Sequence, residues 1–580
     1  MRSQLEIEVE RFMGLQAVGK VEELFIQSNK QFMASSEDAV LERLVEGHDI
    51  IVVGGGYFGD EGKGKIVNVL SHHPLIGAII RANSGENAGH TVFFKGIKYV
   101  LHLTPSGIFV PEKICAINSE CVMDPVNYMA KEIGPLARQR VNYEDRLFVG
   151  NVHLVGPHHK VLDFALSAPN SSTLTGMAYA HASKVMKKGL RLDHLFNDKR
   201  VQAQRLEDDL VMYRGLLKEK GKEEGQIIDD MHRFEEETGR KIPVHVYEFL
   251  SAKDKIGYVL DLFEKTVVQN SQFPQRGNIK HMARGLLMKH EKLLIESAQS
   301  YWLSNATETH WSSSTSAQTH ALGTLASCGV NVTSYNTAVV NVLKTPGDSR
   351  VGKGANPSSL VPQNYFQERG IHNMEQLRGA CDNFDAVQKL YFNSIGENGI
   401  VAPTEYIDAS GRYSISEAMA IACAKKFGEK GATTGKPRVT GLLDLVAAWQ
   451  VAQEQGPHLF ISALDRGDDQ DFVGATVAYV YHNAKGESAE SNGRKYHNGD
   501  VIRIRDEYPN EQVLQHCYPI VKVMPGWKDT PIGAGRWKKE QGLPQAVQQF
   551  LGIVEDLTGF KVLGFGNGPE GKDMVYVKEV

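Results

Sequence analysis

Residues 50–65 read IIVVGGGYFGDEGKGK and indicate the local fold and chemistry more clearly than other parts of the chain. The apolar, β-branched start of this stretch, Ile50 to Val53, is typical of a strand, and the glycine-rich turn after it leads into the apolar helical run IVNVL. Glycines let backbone N–H groups approach a ligand closely, and the start of a helix favours anionic groups. Lysine side chains in such a loop are common phosphate partners. The stretch therefore predicts a phosphate-binding loop between a strand and a helix.

The dinucleotide fingerprint G-x-G-x-x-G is one pattern that this loop satisfies literally, with its glycines running from Gly54 to Gly59. That fingerprint also needs an acid at the end of the second strand, where it binds the ribose hydroxyls. The second strand here, GAIIRANSG, ends instead with Arg81 and Asn83. A dinucleotide site is therefore a weak interpretation.

The P-loop pattern G-x-x-x-x-G-K-[ST] also fails. Tyr57 occupies the place of its first glycine, and Gly64 occupies the place of the Ser/Thr after Lys63. The loop does carry two acids, Asp60 and Glu61. A phosphate loop with its own carboxylate is suited to binding Mg²⁺ and to proton abstraction.

A series of motifs in the rest of the chain accompanies this loop. A second glycine-rich segment, NAGHT from Asn87, lies just after the second strand. The later motifs, in chain order, are YVLHLTPSGIF from Tyr99, KKGLRLDHLF from Lys187, IESAQS from Ile295, SRVGKG from Ser349, GATTGKPRVTGLLD from Gly431, ISALD from Ile461, MPGW from Met524, GLPQAVQQFLGIVEDLTG from Gly542 and GFGNGP from Gly564. Such a collinear series is far more specific than any one motif.

The series resembles the adenylosuccinate synthetase family over residues 49 to 580. The resemblance implies an α/β fold with a large, mostly parallel central sheet flanked by helices, distantly P-loop-like. It also implies a homodimeric ligase that uses GTP and Mg²⁺ to join L-aspartate to IMP, giving adenylosuccinate, GDP and phosphate through a 6-phosphoryl-IMP intermediate.

Composition agrees with a cytoplasmic enzyme. Of the 580 residues, 42% are hydrophobic and 23% charged, and the formal net charge of −5 gives no reason to expect a nucleic-acid or membrane partner. The six cysteines are scattered and form no C-x-x-C pair. This pattern favours reduced thiols over a disulfide framework or a zinc site.

Some parts of the chain have no counterpart in the compact family pattern. Residues 1–47 are predicted to be a helical N-terminal extension, and residues 48–580 a single catalytic domain with expanded regions at about 197–292 and 355–428. The first expanded region is charge-dense, and we interpret it as a solvated helical insertion. In the second, ISEAMAIACAKKF from Ile415 predicts a helix.

By resemblance, Asp60 is the base that removes the purine N1 proton, and it binds Mg²⁺ together with the backbone oxygen of Gly89. His90 donates a hydrogen bond or proton to the phosphoryl oxygens. The residues implied for GTP are Gly59, Asp60, Glu61, Gly62, Lys63, Gly64, Lys65, Gly89, His90, Thr91, Arg438, Asp465, Gly566 and Gly568. Asp465 matches the guanine contact, but its companion lysine is replaced by Ala463, so ATP stays open as an alternative to GTP.

The aspartate site implied by the family consists of Ala432, Thr433, Thr434, Lys436 and Arg438. Lys436 stands where the family normally has arginine, so a bidentate fork is replaced by a point charge.

The IMP side departs most from the family pattern. The implied IMP residues are Asp60, Lys63, Asn87, His90, Thr173, Thr175, Lys187, Gln299, Ser312 and Lys436. Either Thr173 or Thr175 matches the phosphate-binding threonine, depending on how the segment is aligned. Lys187 matches the arginine that crosses from the partner subunit to the phosphate.

Two other functions remain open at this point. The chain could be a sibling enzyme that aminates another 6-oxopurine nucleotide, such as dGMP, although the retained Asp60 favours IMP. It could also be a non-catalytic nucleotide-binding or regulatory protein, which the joint presence of Asp60, Lys63, His90 and Arg438 disfavours.

Overall fold

An eleven-stranded sheet lies at the centre of the computed structural model, which describes residues 26–167, 173–377, 382–395, 398–400, 413–431 and 435–580. In chain order its strands are β1 (Phe32–Ala34), β2 (Ile50–Gly55), β3 (Ile76–Arg81), β4 (Ile114–Ile117), β5 (Leu147–Val149), β6 (Gln275–Arg276), β7 (Lys292–Ser300), β8 (Thr337–Lys344), β9 (His458–Ser462), β10 (Lys561–Gly566) and β11 (Met574–Glu579). They lie side by side in the order β1-β11-β10-β9-β8-β2-β7-β3-β4-β5-β6. All neighbouring pairs are parallel except β10–β11 and β1–β11. The predicted α/β fold with a large, mostly parallel sheet is confirmed.

Helices flank this sheet. They are α1 (Glu37–Glu46), α2 (Lys63–Ser71), α3 (Pro125–Tyr128), α4 (Gly134–Arg138), α5 (Pro157–Leu166), α6 (Met177–Val185), α7 (Lys199–Glu219), α8 (Glu224–Thr238), α9 (Val244–Ser251), α10 (Lys255–Phe263), α11 (Ile279–Met288), α12 (Ala321–Ser327), α13 (Tyr365–Glu368), α14 (Phe384–Ile395), α15 (Ile415–Phe427), α16 (Leu445–Gln455), α17 (Glu511–Leu514) and α18 (Gln545–Thr558). Among the described residues, no helix has both the length and the apolar character needed to cross a membrane.

Shorter strands form smaller sheets around the central one. A five-stranded sheet contains Asn398–Ile400, Leu443–Asp444, Phe472–Tyr481, Val501–Arg503 and Cys517–Pro525. Two-stranded pairs join His90–Phe94 to Ile97–Leu101, Val122–Met123 to His153–Leu154, Asp348–Ser349 to Thr440–Gly441, and Ala489–Ser491 to Arg494–Tyr496.

Strand β2, which begins the glycine-rich segment 50–65, lies in the middle of the central sheet. All six residues of β2 are buried, as expected for a parallel strand that is covered on both faces, and β2 lies between β7 and β8. The glycine-rich loop leaves its carboxyl end and enters α2 at Lys63. In open parallel sheets, ligands bind at the carboxyl ends of the strands. The fold therefore places the phosphate loop where a ligand site is expected.

The N-terminal extension contains a strand as well as a helix. Strand β1 pairs antiparallel with β11, and α1 begins at a Ser36 cap and buries Leu41, Leu44 and Val45 in the main core. Residues 1–25 lie outside the described part of the chain. The division into an extension and one catalytic domain stays a prediction.

The first expanded region is more than a solvated insertion. Its helices are amphipathic, and their inner faces contribute Leu206, Leu210, Tyr213, Met231 and Phe234 to the main hydrophobic core. The high charge density correctly predicted that the outer faces of these helices are solvated. It gave no indication of the apolar residues that lie between the charged positions and pack into the core.

The helix predicted in the second expanded region is confirmed. Helix α15 covers Ile415–Phe427, and a capping box formed by Ser414 and Glu417 precedes it. It ends at Gly428, whose positive φ of 62° terminates the helix.

Candidate active site

One large cavity, of about 2110 Å³, lies among the loops that follow β2, β3, β7 and β8. Pockets for a single small ligand measure roughly 300–1,000 Å³, so this cavity has room for more than one substrate. The predicted site residues that line it are Gly59, Asp60, Gly62, Lys63, Gly64, Asn87, Gly89, His90, Thr91, Thr173, Gln299, Ser312, Lys436 and Arg438. Residues from distant parts of the sequence therefore meet in one space.

A buried carboxylate braces the phosphate loop from within. Glu61 accepts hydrogen bonds from the backbone N–H groups of Tyr57 (3.2 Å) and Gly59 (2.8 Å), and Lys63 Nζ lies 2.7 Å from its Oε2. Burial acts to raise the pKa of Glu61, but the Lys63 ammonium and these hydrogen bonds outweigh it and hold the pKa below its ordinary value. Lys63 also donates to Ser300 Oγ at the end of β7 (3.2 Å). The loop is thus fixed before any ligand binds.

Asp60 occupies a strained position at the cavity wall. Its φ of 59° is unusual for a residue with a side chain, and its carboxylate forms an ion pair with Arg438. Burial lowers the pKa of Arg438 to about 10, which leaves the guanidinium charged at neutral pH. The ion pair joins the predicted base to the predicted aspartate site.

His90 is held by a buried charged cluster. Its Nδ1 bonds to a carboxylate oxygen of Glu296 on β7, and Arg81 Nη1 lies 2.8 Å from its Nε2. Ser106 fixes that carboxylate, donating from its backbone N–H and from its hydroxyl at 2.7 Å each. Glu296 therefore orients the imidazole of His90, and Ser106 in turn orients Glu296.

The same surroundings set the charge of His90. Burial, followed by the positive charge of Arg81, lowers the pKa of His90 to about 4, although Glu296 opposes this shift. Burial acts to raise the pKa of Glu296, but His90 and Arg81 overcome it and lower that pKa to about 2. At neutral pH the imidazole is neutral and Glu296 is ionised.

The predicted aspartate loop lies partly outside the described residues, since Ala432, Thr433 and Thr434 are not among them. Its base is closed by backbone hydrogen bonds from Gly435 to Gly431 (2.8 Å) and from Gly431 to Lys436 (2.9 Å). Lys436 and Arg438 both line the cavity. The two predicted cations of the loop therefore face the same space as Asp60.

On the acceptor side, Gln299 has a positive φ of 58°, and its buried Oε1 has no hydrogen-bond partner within the described part of the chain. Ser312 donates to Glu511 Oε2 at 2.9 Å, so the serine-rich loop is tied down. Asn87 Nδ2 donates to Thr315 Oγ1 in the same loop at 3.2 Å.

The two threonines that compete for the nucleotide phosphate lie side by side. Their hydroxyl oxygens are 2.7 Å apart, but Thr173 lines the cavity whereas Thr175 is buried. Lys187 lies apart from both, on an exposed turn after α6. The geometry favours Thr173, and Lys187 lies outside the cavity of its own chain.

The residues predicted for the far end of GTP form a separate group beside the phosphate loop. Lys65 donates to the backbone oxygens of Gly568 (2.7 Å) and Asp573 (2.6 Å). Burial lowers its pKa to about 8, while the charges of Asp573 and Asp465 oppose this shift. Gly566 lies next to the Lys65 ammonium. This group lies at the carboxyl ends of β9 and β10 and does not line the large cavity.

The predicted Mg²⁺ ligands fit that ion. Asp60 and Gly89 both line the cavity, and a carboxylate with a backbone oxygen is the hard oxygen donor set that Mg²⁺ prefers, completed by substrate phosphates.

A second group could hold a metal by its composition. His153, His159 and Asp209 offer ligand atoms within 4.8 Å of one another. However, the Asp209 carboxylate already binds His158 (3.0 Å), His159 (3.1 Å) and the Ser183 hydroxyl. These partners satisfy the carboxylate without an ion, so we assign this group as the buried anchor of α7.

Comparison with known proteins accounts for this arrangement. The family model of adenylosuccinate synthetase matches residues 51–575. The chain belongs to the adenylosuccinate synthetase family. The synthetase of Trypanosoma brucei gambiense is 48% identical over 561 residues, which cover 95% of this chain and 93% of that protein. The synthetase of Leishmania infantum is 47% identical over 560 residues, which cover 95% of this chain and 79% of that protein.

A solved structure agrees at the level of the fold. The fully ligated adenylosuccinate synthetase from Plasmodium falciparum aligns with a TM-score of 0.63 and 20% sequence identity, covering 91% of this chain and 99% of that one. Membership of the family confirms the predicted purine-biosynthetic ligase, with GTP as co-substrate, Mg²⁺ as cofactor, and IMP and L-aspartate as substrates. Adenylosuccinate synthetases act as homodimers.

Sequence reasoning did not identify the supporting residues of the site. Glu296 and Arg81 were both visible, one inside IESAQS and one at the end of the second strand, but neither was predicted to hold His90. The available signal was chemical, since an ionisable residue inside a buried apolar strand needs a charged partner.

Proposed function

We propose that the large cavity carries out the synthetase reaction with Asp60 as base, His90 as phosphoryl partner, and Lys436 and Arg438 as aspartate ligands. The observation that supports this most strongly is the convergence of all four on one cavity, with Asp60 and Arg438 in direct contact. These four groups come from elements that are separated by several hundred residues in the sequence, and they share one cavity.

In the first step, Asp60 accepts the N1 proton of IMP, and the 6-oxygen then attacks the γ-phosphorus of GTP. GDP leaves, and the phosphoryl group stays on the purine oxygen. Lys63 and the backbone N–H groups of the glycine-rich loop neutralise charge on the transferred group. Asp60 is attached to a braced loop, which suits a base that must meet its proton within hydrogen-bond distance.

His90 acts at the transferred phosphoryl group. Its Nδ1 is engaged by Glu296 and its Nε2 lies 2.8 Å from Arg81 Nη1, so Nε2 exchanges Arg81 for a phosphoryl oxygen when it donates. The imidazole is neutral at neutral pH, but a nearby phosphoryl dianion favours the protonated ring because opposite charges raise the pKa of a histidine. The negative charge of the bound phosphoryl group therefore favours the protonated form of His90, which can donate a hydrogen bond or proton.

In the second step, the amine of aspartate attacks C6, phosphate leaves with the former purine oxygen, and the proton that the amine nitrogen loses passes to the departing phosphate. Lys436 and Arg438 hold the two carboxylates of aspartate. The ion pair between Arg438 and Asp60 places the base directly beside the aspartate site. When bound by Asp60 and the backbone oxygen of Gly89, Mg²⁺ supplies additional positive charge to the phosphates.

A cytoplasmic location completes the proposal. The five cysteines in the described part of the chain, Cys115, Cys121, Cys328, Cys423 and Cys517, are free and buried, which suits a reducing compartment. Fractionation of cells with an antibody to the chain tests this point, and recovery in a sealed organelle or a secreted fraction would contradict it.

A substrate panel tests the reaction. The purified protein is incubated with aspartate, Mg²⁺, GTP or ATP, and one of IMP, dIMP, GMP or dGMP, and mass spectrometry identifies any succinyl product. We expect adenylosuccinate from IMP with GTP. A succinyl product from dGMP alone would support the sibling enzyme instead, and the lack of any product would support a binding protein.

A further inference from the structure

Arg240 lies in the first expanded region, on the turn between α8 and α9. Gly239, with a φ of 68°, ends α8, and Arg240 follows it directly. Glu235 ties this turn back to the helix, because it accepts the backbone N–H of Ile242 (2.6 Å) and pairs with Lys241 (3.0 Å). Helix α8 itself is packed into the main core through Phe234 and its neighbours. Arg240 therefore stands on a rigid support.

The guanidinium group of Arg240 reaches the wall of the substrate cavity. Its Nη2 donates to the backbone oxygen of Thr173 at 3.2 Å, and Thr173 lines the cavity. The Thr173 hydroxyl lies 2.7 Å from that of Thr175. The guanidinium carbon also lies 5.4 Å from the centre of the Phe234 ring, which supports the cation from one side.

One terminal nitrogen of this guanidinium is unpaired within the part of the chain that the structure describes. The Nη1 atom is buried and has no hydrogen-bond partner among the described residues. A buried donor without an acceptor is costly, and a guanidinium presents its donors as a fork that matches a phosphate. The unused half of the fork is thus suited to an anionic oxygen.

The charge of Arg240 also acts on a second cation, Lys436. After burial, the charge of Arg240 is the next cause that lowers the pKa of Lys436, which lines the cavity. Asp163 is the acid that acts on Arg240, but its Oδ2 is engaged by the backbone N–H of Gly176 at 2.9 Å. Thr173 and Lys436 therefore line the cavity, and Arg240 lies directly behind Thr173.

We propose that Arg240, which the expanded region adds to this chain, binds the phosphate group of the acceptor nucleotide together with Thr173. This inference rests on the proposed function, since it assigns a residue to the nucleotide site of that reaction. It also gives the expanded region a role in substrate binding and supplies an arginine to a site in which Lys436 replaces an arginine of the family pattern.

The test compares a nucleotide with its phosphate-free counterpart. The affinities of the full-length protein for IMP and for inosine are measured by calorimetry, and the KM values for IMP, GTP and aspartate are measured by initial rates. Arg240→Ala is expected to weaken IMP about tenfold or more while leaving inosine, GTP and aspartate within about twofold, because only the phosphate contact is lost. Arg240→Lys, which keeps the charge but not the fork, should recover part of the affinity for IMP.

Arg233→Ala is the matched control, because Arg233 is an exposed arginine on helix α8, which leads into the turn that carries Arg240. It should change none of these values. Equal weakening of IMP and inosine by Arg240→Ala would overturn the proposal, and so would an effect confined to the aspartate KM. If the wild-type protein formed no adenylosuccinate but Arg240→Ala still weakened IMP and not inosine, the proposed function would fall and the phosphate contact would stand.

Discussion

The two sides of the cavity differ in their supporting groups, since buried carboxylates are bonded on one side and two polar atoms lack partners within the described part of the chain on the other. On the phosphoryl-transfer side, the carboxylates of Glu61 and Glu296 are each bonded to a cation or imidazole and to at least one backbone N–H group. On the acceptor side, Gln299 Oε1 and Arg240 Nη1 are buried without partners among the described residues. The first side is assembled before substrate arrives, whereas the second is completed by its ligand.

This contrast matches the departures from the family pattern. The loop from Gly59 to Lys65 keeps the family motif, and a braced loop tolerates little change because each group supports another. The acceptor side carries Ser312 and Lys436 in place of the family's residues, and Lys187 replaces the arginine that the family supplies from the partner subunit. A side whose contacts are made with a ligand can exchange one cation for another if the total charge is kept.

The largest expected effect concerns the assembled side. Asp60→Asn and His90→Asn should each lower kcat by at least about 10², the usual contribution of a positioned acid or base. Single-turnover rates with saturating IMP, GTP and aspartate measure this loss. Near-full turnover by either variant, with folding verified by circular dichroism, would show that the residue has no chemical role.

A smaller loss is expected from the support of His90. Glu296→Gln should lower kcat by about 10- to 100-fold and leave the KM values nearly unchanged, the usual result when a group that orients a functional histidine is lost. The pH profile should also change, since removing the Glu296 charge favours the neutral imidazole further. The control is Glu308→Gln, at an exposed position. A variant with normal kcat and lower thermal stability would indicate a purely structural role.

Arg438→Leu tests the contact that joins the two steps. It should raise the aspartate KM about tenfold or more, because a charge-assisted contact to a substrate carboxylate is lost. The KM for IMP should rise much less. Arg438→Lys is the matched variant and should recover part of the affinity for aspartate. An equal rise in both KM values would mean that Arg438 maintains the structure of the cavity and does not bind aspartate.

The smallest effect concerns stability. Burial, more than any other cause, lowers the pKa of His90, His158 and His310 to about 4 and that of His153 to about 3, from an ordinary 6.5. The unfolded chain therefore binds more protons than the folded one between about pH 6.5 and pH 4, and the free energy of unfolding falls as the pH falls through this window. Thermal denaturation should show a lower Tm at about pH 5.5 than at about pH 7.5. An unchanged Tm would contradict the burial of these rings.

Local patterns were enough to predict much of the fold. The strand–loop–helix at Ile50 and the helix Ile415–Phe427 are encoded by adjacent residues, including a capping box and a terminating glycine. The meeting of Asp60 with Arg438, 378 positions apart, was implied only by family resemblance.

The supporting contacts could not be predicted in this way. His90 and Glu296 are separated by 206 positions, and Arg240 lies 67 positions from Thr173 in a region that appeared to be solvated. No spacing rule connects such pairs, because they meet only after the sheet has ordered its strands as β2-β7-β3 and the insertion has packed onto the core. The partner of a buried charged side chain can be identified only when the residues that surround it in the fold are known.

The most direct measurement of the central claim follows the purine oxygen. IMP labelled with ¹⁸O at position 6 is incubated with GTP, Mg²⁺ and aspartate, and the released phosphate is analysed by mass spectrometry. Phosphorylation of the 6-oxygen followed by its displacement predicts that the label appears in phosphate as adenylosuccinate forms, and that Asp60→Asn abolishes both together. Formation of adenylosuccinate with unlabelled phosphate would contradict the proposed reaction.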